Sequence, residues 1–405
     1  MPAKAAGIDL FSSETLSIAG DARLIAVDGE QSWVQGGFGK LRSGGDSRGD
    51  WRVRPQLGNV DLVWQPRFGW ALSGTVTGTL QGGERTELGI SEAFLSFKPV
   101  QGGAVRLSAR AGLIWGPISL EHSGADWHVT DTITPSAINS WIGEEVRPLA
   151  IELRADTSLG AHKLSASAAI FAANDTAGTL LTFRGWALHD RKTLVGHRQP
   201  LPPLSEEFEY YQPPFTHPLL DVGPGFAKRP GYYLKLAWSP PIPVRVELFR
   251  YDNRADPEAV NQDMEWGWRT RFNHVGAIAE LGSDTELRIQ AISGSARMGF
   301  DEGAGIWVDN RFRSAFALLT HHWGKTGLAG RIEAFGTRQR GSLVTDEDSE
   351  HGWAGTLAVQ REIVPHVSGI VELLHVSSER AARERVGLSS QQNQTQLQAD
   401  LRIRW

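Results

Sequence analysis

The segment that most constrains this chain is Gln394–Trp405, QTQLQADLRIRW, in which Leu397, Ala399, Leu401, Ile403 and Trp405 alternate with Gln396, Gln398, Asp400, Arg402 and Arg404. Alternation with period two puts one set on each face of a β-strand. The strand ends on an aromatic residue and carries two arginines on its polar face, the pattern of a barrel wall with lipid outside and water inside. One such strand also suits a soluble sandwich, so recurrence along the chain decides.

It recurs. Leu16, Ile18, Leu24 and Ala26 alternate with Ser17, Asp21 and Arg23, and Trp70–Gln81 sets Leu72, Val76 and Leu80 against five polar positions. Val105, Leu107, Ala109 and Ala111 oppose Arg106, Ser108 and Arg110; Leu149, Ile151 and Leu153 oppose Glu152 and Arg154. After Tyr232 the rhythm resumes, with Leu287–Ala291, Phe312–Leu318 and Leu328–Ala334 set against polar partners. Tight turns near Pro66, Gly102, Leu159, Pro240, Ser283, Lys325 and Pro365 alternate with longer polar stretches, as short turns on one rim and loops on the other require. The chain is therefore read as all-β: a transmembrane antiparallel β-barrel of about 16 strands, one domain over residues 1–405. Counting Leu180–Asp190 and Phe208–Gln212 as strands would make about 18; the Pro-rich region 175–230 is taken instead as a long external loop. A soluble propeller needs a blade repeat of about 40 residues, which is missing, and a tandem sandwich would be poorly filled by so many Ala and Gly on its apolar faces.

Composition fits this reading. No apolar run approaches the ~18 residues of a membrane helix, and the mean hydropathy of −0.27 is compatible with a half-polar barrel wall. The net charge of −5 argues against nucleic acid as a partner. The absence of Cys excludes thiolate metal sites and suits passage through an oxidising compartment. The start, MPAKAAGIDLFSS, has no apolar leader core. We expect a mature outer-membrane chain carrying an added initiator Met; a cytosolic protein is the alternative.

Residues 116–145 break the alternation and are rich in Trp, Ile and Pro. Thr134-Pro135-Ser136 reads as a helix cap with Pro at the first helical position, leading into Ala137–Ile142. So apolar a loop is expected to fold into the barrel and constrict it. The phrases ISLEH, TDTITPSAINSWIGEEV, SWVQGGFGKLR and NDTAGTLLTFRGWALHDR resemble those of the phosphate-selective-porin-like family of proteobacterial outer-membrane porins. The resemblance implies a sixteen-stranded, trimeric, passive channel in the bacterial outer membrane whose third loop, here 116–145, folds inward. It does not imply a phosphate specificity, because no dense run of lumen lysines is present.

Arginines expected on the inner face include Arg106, Arg110, Arg154, Arg269, Arg271, Arg313 and Arg331, with Arg23, Arg288 and Arg402. The loop carboxylates Glu121, Asp126 and Asp131 are their expected opposites, and Glu152, Glu247, Glu286 and Glu333 belong to the acidic inner set. Charges on a pore lining filter ions by local field, although each is also a candidate for bracing the wall in an ion pair. This suits small hydrophilic solutes with a mild preference for anions, in outer-membrane lipid and lipopolysaccharide. No cofactor or metal follows: His321 and His322 are sequential on a strand and point apart. Glu121, His122, His128 and Asp131 admit a hydrolase alternative, but no G-x-S-x-G motif accompanies them. A plugged structural or adhesin barrel is the third alternative.

Overall fold

The computed structural model describes residues 7–46, 48–100, 102–218 and 229–405. Residues 219–228 of the expected external loop, Gln101 beside the Gly102 turn, and Met1–Ala6 lie outside the described residues. Sixteen antiparallel strands form one closed barrel in which each pairs with its neighbours in sequence. They are β1 Leu16–Val27, β2 Arg52–Trp64, β3 Leu72–Gln81, β4 Glu87–Phe97, β5 Val105–Leu113, β6 Leu149–Leu159, β7 His162–Ala173 and β8 Gly231–Ser239. The circuit continues through β9 Val244–Asp252, β10 Arg269–Glu280, β11 Thr285–Asp301, β12 Ile306–Trp323, β13 Thr326–Gln339, β14 Glu350–Val364, β15 Val367–Glu379 and β16 Gln391–Arg404. Closure runs between β1 and β16, from Ala19 opposite Arg404 to Val27 opposite Gln396. A closed ring leaves no unpaired strand edge, the condition for a sheet that spans lipid.

The alternation becomes two faces. Leu397 and Leu401 on β16 are 44% and 45% exposed, whereas Gln396 and Gln398, on either side of Leu397, are 2% exposed and point inward. Exposed Trp70, Trp238, Trp323 and Trp405 gather at the rim of short turns, where amphipathic rings favour an interface. The β6–β7 turn closes through Gly160 at φ 61°, a left-handed conformation that costs glycine least.

The apolar core lies inside the barrel, where a wide aqueous channel was the default for this strand number. Residues 114–148 and 174–194 both enter the lumen. Within the first, the helix α1 Ala137–Glu145 is buried at every position. Ser136 is its cap, its Oγ accepting from Asn139 N at 3.3 Å, so Pro135 precedes the cap instead of occupying the first helical position. Trp141 packs on Phe312 and Phe272 of the wall at ring separations of 5.1 and 5.3 Å, and each such buried aromatic contributes about 1.5–3 kcal/mol.

That core corrects the assignment of three arginines. Phe272, Phe312 and Phe316 turn inward to meet α1, so by alternation Arg269, Arg271 and Arg313 stand on the outer wall. The expected external loop also changes: its first part, including the short helix α2 Thr179–Phe183, is buried in the lumen.

Candidate functional site in the barrel lumen

The inward loop is held by a buried ionic clamp. Arg331 of β13 donates to Glu121 at 2.8 Å, Glu333 at 2.9 Å, and the carbonyls of Thr134 and Pro135 at 2.9 and 3.1 Å. Glu121 in turn accepts from the backbone N and side chain of Ser136 and from Asn139 Nδ2. Glu333 accepts from Ala137 N at 2.7 Å, and Glu372 of β15 accepts from Ile133 N at 2.6 Å. Glu333 of the wall and Glu121 of the loop thereby satisfy Ala137 N and Ser136 N at the start of α1. The side chains of Arg331 and Glu121 are both 0% exposed, so this expected pore-lining pair anchors the loop and does not meet a solute.

A second set of contacts ties 174–194 to α1 and to the opposite wall. Arg184 makes a two-point ion pair with Glu144 at 2.5 and 2.8 Å, and His189 Nε2 lies 2.6 Å from the same carboxylate. Burial alone would raise Glu144, but the Arg184 charge outweighs it and holds the carboxyl at about 2. Among the described residues no cation pairs with Glu145: it accepts from Gly178 N, Leu180 N and Trp141 Nε1 at 2.9, 2.9 and 2.6 Å. Burial pushes it up to about 8. The folded chain therefore keeps the Glu145 proton over a window, from the unfolded carboxyl value near ~4.3 up to about 8, in which the unfolded chain has lost it. Stability from this group is fullest below that window and is lost as pH rises through it. Thermal unfolding followed by circular dichroism is expected to show a midpoint that falls between about pH 5 and 8, with Glu145→Gln removing part of that slope. An unchanged slope in the variant would contradict the assignment.

Between the two loops and strands β1, β2 and β16 lies a polar eyelet. Asp190 receives Arg23 at 2.6 Å and Arg42 at 2.7 Å; Lys192 reaches Asp61 at 3.0 Å; Arg404 reaches Asp126 at 2.9 Å. The cavity they enclose is about 40 Å³, room for a water molecule or two and for no hydrated solute. Burial favours the neutral form of Asp126, but the hydrogen bond with His128 and the Arg404 charge prevail and hold it at about 2. Ser123, His128 and Asp126 follow one another at 3.2 and 2.8 Å, the order of a hydrolytic triad. Arg404 Nη1 stands 2.7 Å from His128 Nδ1, and a cation there opposes the imidazolium that a serine nucleophile requires.

Nearer the short-turn rim, a vestibule of about 610 Å³ opens beside β5 and β6. Lys98, Arg106, Arg110 and Arg154 line it against two carboxylates, Glu152 and Asp156. Arg110 pairs with Glu152 at 2.8 Å and Arg154 with Asp156 at 2.8 Å, which leaves Lys98 and Arg106 in excess. On the far side, Asp131 is taken by Arg288 at 2.6 Å and His322 at 3.3 Å.

The structure thus gathers Arg106, Arg110 and Arg154 in one open space, ties Glu121 to Arg331, Asp126 to Arg404 and Asp131 to Arg288, and sets Arg269, Arg271 and Arg313 outside the lumen. Sequence reasoning missed Arg42, Asp190 and Lys192. For Asp190 and Lys192 the signal was a charged run, HDRK at residues 189–192, inside a segment as apolar as TLLTF and GWAL; Arg42 lay in the SWVQGGFGKLR stretch with no such mark.

This closed sixteen-strand barrel with loops turned into its lumen has the fold of bacterial outer-membrane porins. The outer membrane channel DcaP of Acinetobacter baumannii is similar at a TM-score of 0.57 and 11% identity, over 97% of this chain and 99% of that one. An anion-selective porin from Comamonas acidovorans is similar at a TM-score of 0.54 and 11% identity, over 96% and 99%. No protein-family model matches the sequence, and no curated protein matches it either.

Proposed function

We propose that this chain is an outer-membrane porin through which small hydrophilic solutes diffuse passively, with a mild preference for anions. The observation that carries the reading is the vestibule, where four cationic side chains face two carboxylates along an inward wall; such an excess raises the local concentration of anions. The solved relatives in fold, one an outer membrane channel and one an anion-selective porin, support the class. On this reading the protein lies in the bacterial outer membrane among lipid and lipopolysaccharide, with its short-turn rim toward the periplasm. It assembles as a homotrimer of the phosphate-selective-porin-like group, with residues 116–145 as constriction.

The test is conductance in a planar bilayer under a KCl gradient. Stable steps with a reversal potential favouring chloride are expected. A cation-favouring potential would move control to Asp126 and Asp131, and folded protein that never conducts would refute the reading. A second reading, a barrel plugged at rest, draws support from the ~40 Å³ eyelet. It requires steps that appear only when residues 176–190 are deleted; full conductance of the intact chain excludes it.

A further inference from the structure

The three arginines that face outward are part of a larger arrangement. Register places Arg271 opposite Ser295, Ser295 opposite Arg311, and Arg311 opposite Arg338, so one row crosses β10–β13 on the outer wall. One residue pair nearer the short-turn rim, Ser293, Arg313, Gly336 and His351 form the next row. The row after that is Val275, Ala291, Ala315, Ala334 and Trp353, wholly apolar. With strands about 4.8 Å apart and outward residues about 6.6 Å apart along each, the guanidinium groups share a patch roughly 15 Å across. It lies one step above the apolar band.

Arg311, Arg313 and Arg338 are exposed. Asp309 takes up Arg311 at 3.2 Å and Arg297 at 2.9 Å; among the described residues no carboxylate pairs with Arg313 or Arg338. Between these side chains the wall is low, because Ser293 and Gly336 stand where their neighbours carry long chains. The resulting hollow of about 770 Å³ is lined by Arg311, Arg313, Arg338, Arg340 and His351 and by the carboxylates Asp346, Glu350 and Glu379, of which Glu350 is buried against Lys40 and Glu379 faces His351; its size admits a headgroup.

Isolated outward cations at hydrocarbon depth would be costly; a cluster at its upper edge, above a floor of small side chains, is where a lipid phosphate sits when its acyl chains lie on the row below. We propose that this hollow binds a phosphorylated glycolipid of the outer leaflet, phosphate against Arg311, Arg313 and Arg338 and acyl chains along Ala291, Ala315 and Ala334. The proposal rests on the outer-membrane reading. It assigns to a lipid Arg313, which the sequence pattern had given to the pore.

The probe is a fluorescent diphosphorylated lipid A, titrated in neutral detergent micelles against the full-length protein. The variant Arg311→Gln/Arg313→Gln/Arg338→Gln is expected to bind about a hundredfold more weakly, and Arg361→Gln, an outward cation near the other rim, as well as the native chain. Raised salt should weaken the native affinity, and inorganic pyrophosphate should not displace the lipid. Binding by the triple variant within about twofold of native would overturn the proposal. So would displacement by pyrophosphate, which marks a soluble-anion site, or a change of oligomeric state with lipid affinity intact, which marks a face between copies. Conductance measured on the same samples separates the two readings. A native chain that does not conduct refutes the porin, while selective loss of lipid binding in the triple variant still upholds the site.

Discussion

Arg331→Ala is expected to lower the thermal unfolding midpoint sharply and, in a bilayer, to give larger and noisier current steps than the native chain. Arg331 is fully buried with Glu121 and Glu333, and removing one partner of a buried ionic network leaves the others charged without compensation. The penalty is about 3–5 kcal/mol. It falls on the contact between wall and loop, since the lost donors are those that hold Glu121 and the carbonyls of Thr134 and Pro135. Residues 116–145 should therefore detach before the barrel opens. Heat-modified electrophoretic mobility reports the barrel, and protease nicking within 116–145 reports the loop. Early nicking with the barrel still folded is the expected pattern. Simultaneous loss of both would show that the clamp supports the wall itself, and native behaviour in both assays would remove Arg331 from any anchoring role. Arg331→Lys keeps the charge but cannot reproduce the forked contacts, so it should fall between the two.

Reversing the vestibule charge should have the other large effect. In the variant Arg106→Glu/Arg154→Glu, four cations against two carboxylates become two against four. If solutes pass this way, the reversal potential changes sign, with a roughly tenfold change in the anion-to-cation permeability ratio. Folding should be little affected: Arg106 is exposed, and the Arg154–Asp156 pair is 46% and 27% exposed, so its loss costs at most about 1 kcal/mol. An unshifted potential in a conducting, stably folded variant would place the ion path elsewhere in the lumen.

The two variants divide the lumen's charges by burial. Where ion pairs are sealed from water, as around Arg331 and Arg184, they position the loops and their removal is read in stability. In the vestibule Arg106, Arg154 and Asp156 are wet and weakly paired, so their removal is read in selectivity.

The sequence by itself determined the barrel, its sixteen strands and the outward identity of Leu24, Leu397 and Leu401. Apolar lipid and a polar interior act on alternate residues of each strand, so the choice of environment is written position by position. The vestibule arginines were legible for the same reason, because Arg106, Arg110 and Arg154 face water inside and their neighbours face lipid. Only the tertiary structure decided the facing of Arg269, Arg271 and Arg313. At that height α1 fills the lumen with Trp141, so Phe272 and Phe312 are the inner residues and the arginines lie on the outer wall. Polarity stops reporting direction once the inside is apolar and the outside is charged. The inward course of 174–194 was hidden for a related reason: Arg184 and Asp190 are stabilised by Glu144, Arg23 and Arg42, partners distant in the chain that only the closed barrel brings together.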